Sequence, residues 1–159
     1  MKLGIIGVGN TLMGDDGVGV ALLELLRGES LPEDVSLIDI GAGGFNLAHS
    51  LAKLDVAIII DAVDFGGAPG EAASLRPENL RSIKENCELT THGGDMLNVL
   101  ALSRALGECP ETIIIYAIQP ETMEPSMNLS SLLETKLPVY AKDVIEIIAG
   151  VNQCTTGKL

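Results

Sequence analysis

Aliphatic runs of strand length alternate along this chain with segments whose apolar residues recur at the helical period. Leu3 to Val8 reads as a buried strand. Asp16 to Leu26 reads as a helix, with Val18, Ala21, Leu22, Leu25 and Leu26 on its apolar face. Val35 to Ile40 is a second strand, and Phe45 to Leu54 a second helix opened by a glycine-rich turn. Val56 to Ile60 is aliphatic without alternation, as expected of a central parallel strand buried on both faces. After a Gly- and Pro-rich loop from Phe65 to Gly70, Ala72 to Leu75 fits a short edge strand. Pro77 to Lys84 fits a short helix with Pro77 in its first turn, and Gly94 to Leu106 fits a longer one. Thr112 to Ile118 is a further apolar strand, and Leu129 to Ala149 is helical with a break expected near Pro138. The alternation predicts an α/β fold: a single three-layer domain over residues 1–150, with a mostly parallel open sheet and helices on both faces. Residues 151–159 read as a flexible tail.

Composition narrows the classes of function. A chain of 159 residues, 47% of them apolar, can bury one sizeable core, which must be aliphatic because aromatics make up 3%. A net charge of −12 repels phosphate backbones and argues against nucleic-acid binding. Cys87, Cys109 and Cys154 form no CxxC pair and read as reduced thiols. No stretch approaches the roughly 20 apolar residues of a membrane span, and no signal peptide is visible. The expectation is a cytoplasmic monomer with no membrane partner.

In open parallel sheets, chemistry gathers where strands end. The first strand runs into GVGNTLMGDDGVG, Gly7 to Gly19. This resembles a dinucleotide fingerprint, with Asp39 where a ribose-binding acid would lie, but Leu12 stands at the third glycine position. Asp15 and Asp16 would also put negative charge at the helix end where a pyrophosphate should rest. A nucleotide-binding oxidoreductase is therefore disfavoured. Helix capping and dipole compensation would explain the two acids without any function. The third strand ends in IIIDAVD, placing Asp61 at its carboxyl end and Asp64 three residues on. An acid after buried aliphatics is either satisfied by loop amides or faces a cleft. TTHGGD puts His92 just before a helix, whereas His49 falls inside the second helix, on its surface. Asp16, Asp61 and His92 make a sensible ligand set for a divalent metal, with coordination positions left open. No GxSxG elbow, HExxH helix or P-loop is present, so metal-assisted attack by water is the best remaining hydrolytic chemistry.

On GVGNTLMGDDGVG, IIIDAVD and THGGD, from Met1 to about Ala149, the chain resembles the maturation endopeptidases of nickel–iron hydrogenases. The resemblance implies that Asp16, Asp61 and His92 are the metal ligands and catalytic residues. Asp39, in LIDIGAGG, matches an acid the family associates with substrate handling. Gly41 and Gly43 fit a loop against the substrate tail, and Asp64 joins them as a substrate-binding candidate. The implied activity is removal of a C-terminal extension from the hydrogenase large-subunit precursor after nickel insertion, with nickel supplied by the precursor as the recognition element. Zinc or cadmium would occupy the site in isolated protein. A non-catalytic metal-binding assembly chaperone or accessory subunit, using the same ligands, is the competing reading.

Overall fold

The computed structural model describes residues 1–85 and 93–156, with side chains over residues 1–82 and 96–153. The aliphatic runs form a five-stranded sheet in the order β2–β1–β3–β5–β4. These are β1 (Leu3–Gly7), β2 (Val35–Asp39), β3 (Val56–Ala62), β4 (Ala72–Leu75) and β5 (Thr112–Ile118). Four strands run parallel, and β4 pairs antiparallel with β5 at the edge. The expected mostly parallel sheet with helices on both faces is what forms.

Strand alternation sorts the core into two layers. Leu3, Ile5, Ile58, Ile60, Tyr116 and Ile118 point to one face and pack with α1 (Val18–Leu26) and α5 (Ser131–Thr156). Ile6, Val8, Ala57, Ile59, Ile115 and Ala117 point to the other. There they pack with α2 (Gly44–Leu51), Leu80 of α3 (Pro77–Glu85), and Met96, Leu97 and Leu100 of α4 (Gly93–Ala105). Because β5 runs parallel to β3, the α4–β5 connection lies at the amino edge of the sheet. The chain therefore enters α4 at the carboxyl edge.

Two expectations are corrected. Helix α1 starts at Val18 rather than Asp16, because Gly14–Gly17 first make a tight 3-10 turn that ends against the sheet. Helix α5 continues through Pro138 and past Gly150 to Thr156, without the expected break and into the segment expected as a tail. Proline denies the Glu134 carbonyl its helical partner. Leu133, Tyr140, Ala141, Val144 and Ile148 are nonetheless buried against the α1 layer on both sides of it, and this packing outweighs the local cost.

Candidate active site

The site grows from the first strand's exit. Gly9 has φ +134°, and a Cβ there would overlap the backbone carbonyl oxygen of Asp16. A Cβ on Gly19 would lie 2.6 Å from the Ile60 carbonyl oxygen, so α1 begins in backbone contact with the ends of β1 and β3. The glycines of the first motif thus serve chain-to-chain packing. The room a pyrophosphate would need over Gly9 is filled by Asp16 itself, which removes the physical basis of the dinucleotide reading.

Asp15 and Asp16 are both buried, at 0% and 1% exposure, and neither caps α1: its N-cap is Gly17, with no side-chain bond. They have different occupations. The Asp15 carboxylate accepts backbone N–H bonds from Glu121 (2.8 Å), Thr122 (3.1 Å) and Ser130 (2.7 Å), and a hydroxyl bond from Ser130 (2.9 Å). Asp16 accepts the Asn10 N–H at Oδ2, 2.7 Å away, and lies directly over the exit of β1.

Asp61 is wholly buried in β3, paired in register with Ala117, one step beyond the level at which Gly7 faces Ile60. Alternation puts it on the face of Ala57 and Ile59, the face covered by α4. The 3-10 turn carrying Asp16 packs against β3, so the structure brings the two acids onto touching elements at the carboxyl edge. His92 lies outside the described residues. Among the described residues no three His, Cys, Asp or Glu side chains gather as a metal site, and the expected trio needs His92.

The remaining candidates build the surrounding loops. Asp39, exposed at the end of β2, accepts the Gly41 N–H at 2.8 Å, and the Gly41 carbonyl accepts the Gly9 N–H at 2.9 Å. This ties the Asp39–Gly41 turn to the turn beneath Asp16. Gly43 is the N-cap of α2. Asp64 is exposed, and its Oδ1 accepts bonds from the Gly66 N–H and the Gln119 amide, both at 3.1 Å. Gln119, buried at the end of β5, accepts in turn from the N–H groups of Phe65 (3.0 Å) and Gly67 (3.1 Å). Sequence reasoning missed Gln119, although a polar residue straight after a buried strand is the same signal that marked Asp61. His49 is exposed on α2 beside Lys53, as expected. Burial pushes the Cys109 thiol up, the opposite of what a reactive nucleophile needs.

A family model described as hydrogenase maturation protease matches residues 20–147. The chain belongs to the hydrogenase maturation protease family. As a member it is a protein-cleaving hydrolase, which sets aside the chaperone reading. It is 31% identical to the hydrogenase 2 maturation protease of Escherichia coli K12 over 147 residues, covering 91% of this chain and 89% of that protein. It is 34% identical to the hydrogenase expression/formation protein HoxM of Azotobacter vinelandii over 121 residues, covering 76% of this chain but 58% of the relative. The fold matches the E. coli hydrogenase maturating endopeptidase HybD with a TM-score of 0.84 at 29% identity, over 95% and 94% of the two chains. It matches a [NiFe] hydrogenase maturation protease, HycI of Thermococcus kodakarensis, with a TM-score of 0.73 at 25% identity, over 93% and 92%. In this chain Asp61 lies at the carboxyl edge of the sheet, with the turn that carries Asp16 packed against the same strand.

Proposed function

We propose that this maturation protease removes the C-terminal extension of a nickel–iron hydrogenase large-subunit precursor once nickel has been inserted. In this reading Asp16, Asp61 and His92 complete the coordination of nickel that arrives as part of the substrate. The observation that carries it is the burial of two carboxylates on touching elements at the carboxyl edge, on the side where the chain enters α4 directly after His92. Carboxylates taken out of water attract a divalent cation far more strongly than solvated ones, and an imidazole suits nickel. Bound nickel supplies polarisation of the scissile carbonyl or orientation of a water. Asp16 or Asp61 would accept the proton of the attacking water as general base. Asp39 and Gly41, tied to Gly9, together with Gly43 and with Asp64, tied to Gln119, guide the substrate tail toward it. Zinc or cadmium stands in for nickel in isolated protein.

The enzyme acts as a cytoplasmic monomer on this reading; among the described residues no helix is long and apolar enough to cross a membrane. Asp16→Asn tests the site. The amide keeps the size of the acid and its acceptor for the Asn10 N–H, but loses the charge. Processing of nickel-loaded precursor should fall about 100-fold or more with the melting temperature little changed. Near-normal processing by the folded variant would remove Asp16 from the site.

A further inference from the structure

We propose that Asp15 is a positioning residue of this protease, holding in place the turn from which Asp16 acts. The inference rests on the assignment of Asp16 above. The bonds of Asp16 to Asn10 and Met13 stay within the turn: the Asn10 N–H reaches its carboxylate at 2.7 Å, and its own N–H reaches the Met13 carbonyl at 3.2 Å. So do the bonds of the Met13 N–H to the Asn10 carbonyl and of the Leu12 N–H to the Asn10 side chain. These bonds order the turn internally.

What fastens it to the distant β5–α5 connection is centred on Asp15. Its Oδ2 accepts from the N–H groups of Glu121 and Thr122 and the Ser130 hydroxyl, and its Oδ1 from the Ser130 N–H. Its own N–H donates to the Thr122 carbonyl at 3.1 Å. Around it the Gly14 N–H donates to the Ser126 carbonyl and the Ser126 N–H to the Leu12 carbonyl, each at 3.0 Å. Ser130 also accepts the Leu133 N–H at the start of α5, so the same carboxylate orders a helix end. Asp15 is fully buried, and a carboxylate so placed is tolerable because four donors meet it. Consecutive Cα atoms stand about 3.8 Å apart, so any shift of Asp15 is passed to Asp16 almost undiminished.

The two neighbouring acids thus divide the work: Asp15 holds the β5–α5 connection, and Asp16 stands at the exit of β1. An asparagine cannot replace Asp15. With its oxygen toward Glu121, Thr122 and the Ser130 hydroxyl, its NH₂ would face the Ser130 N–H, donor against donor.

The test is steady-state processing of nickel-loaded precursor by wild type, Asp15→Asn, Ser130→Ala and the Asp16→Asn control. Each is assayed about 20 °C below its own melting midpoint, with the folded state checked by circular dichroism. Folded Asp15→Asn should lose about 10- to 100-fold in kcat with KM within about threefold of wild type, the signature of a misplaced reacting group. Ser130→Ala, which removes one donor of four, should lose less, about two- to fivefold in kcat. A wild-type kcat for folded Asp15→Asn, however low its melting point, would overturn the proposal. If that variant does not fold, a wild-type kcat for Ser130→Ala overturns it instead. The control separates the two readings: should Asp16→Asn process normally, the assignment of Asp16 fails whatever Asp15 does.

Discussion

Replacing Gly9 by alanine probes how tightly the first motif is built. Gly9 and Gly41 both have positive φ, +134° and +56°, so both positions disfavour a side chain. They differ in surroundings. Nothing lies within 4 Å of where a Gly41 Cβ would stand, so Gly41→Ala costs only the left-handed backbone, about 1–2 kcal/mol. A Gly9 Cβ would overlap the Asp16 carbonyl oxygen and lie 2.9 Å from its carbonyl carbon. Those are backbone atoms of a turn bonded to the β5–α5 connection, and they cannot rotate away. Overpacking of about 1–3 kcal/mol then adds to a conformational cost of about 1–3 kcal/mol, for a total of about 2–6 kcal/mol, centred near about 4 kcal/mol. At about 2–4 °C per kcal/mol for a chain of this size, Gly9→Ala should melt about 10–15 °C below wild type, and Gly41→Ala about 5 °C below. Urea and thermal unfolding followed by circular dichroism measure both. Equal losses for the two variants, or a Gly9→Ala variant within about 1 kcal/mol of wild type, would refute the backbone contact between Gly9 and Asp16.

Other consequences are equally open to measurement. Gln119→Ala removes the acceptor of the Phe65 and Gly67 N–H groups and the donor to Asp64. It should cost about 1–3 kcal/mol and speed hydrogen exchange at Phe65 and Gly67, and unchanged exchange there would contradict the loop's dependence on Gln119. Burial pushes the Tyr140 hydroxyl up to about 12, with Asp15 and Asp143 adding to the rise, and burial raises Tyr116 as well, helped by its 2.7 Å bond to Asp143. The folded state therefore keeps protons that the unfolded chain releases above pH 10, so stability is full below that pH and falls as pH climbs toward 12. Urea midpoints that stay flat from pH 9 to pH 12 would show that these hydroxyls ionise freely in the folded protein.

The sheet was legible because β1, β3 and β5 are largely apolar runs bounded by turn residues, and a run buried on both faces has few other homes. Strand order was not, since it is decided by pairing between segments far apart in the chain. Pro138 misled because its cost is local whereas the packing that overrides it, through Leu133, Tyr140 and Val144, is tertiary. Asp61 was visible as a polar residue at a strand end and Asp16 as an acid at a helix start, and the two lie on touching elements at one edge. That Asp15 rather than Asp16 is held by Glu121, Thr122 and Ser130 depends on contacts more than 100 residues away, which no local pattern records. The start of α1 was misplaced because Gly14–Gly17 forms a 3-10 turn packed against β3, a tertiary contact that the helical period of the sequence does not record.

The central claim is that the two buried carboxylates, with His92, receive nickel carried by the substrate. The direct measurement is mass spectrometry of large-subunit precursor, nickel-loaded and nickel-free, after incubation with the purified protein. The account predicts a C-terminal fragment from the nickel-loaded precursor and none from the nickel-free one. Equal release of the fragment from both would contradict it, as would failure to release it from the loaded form.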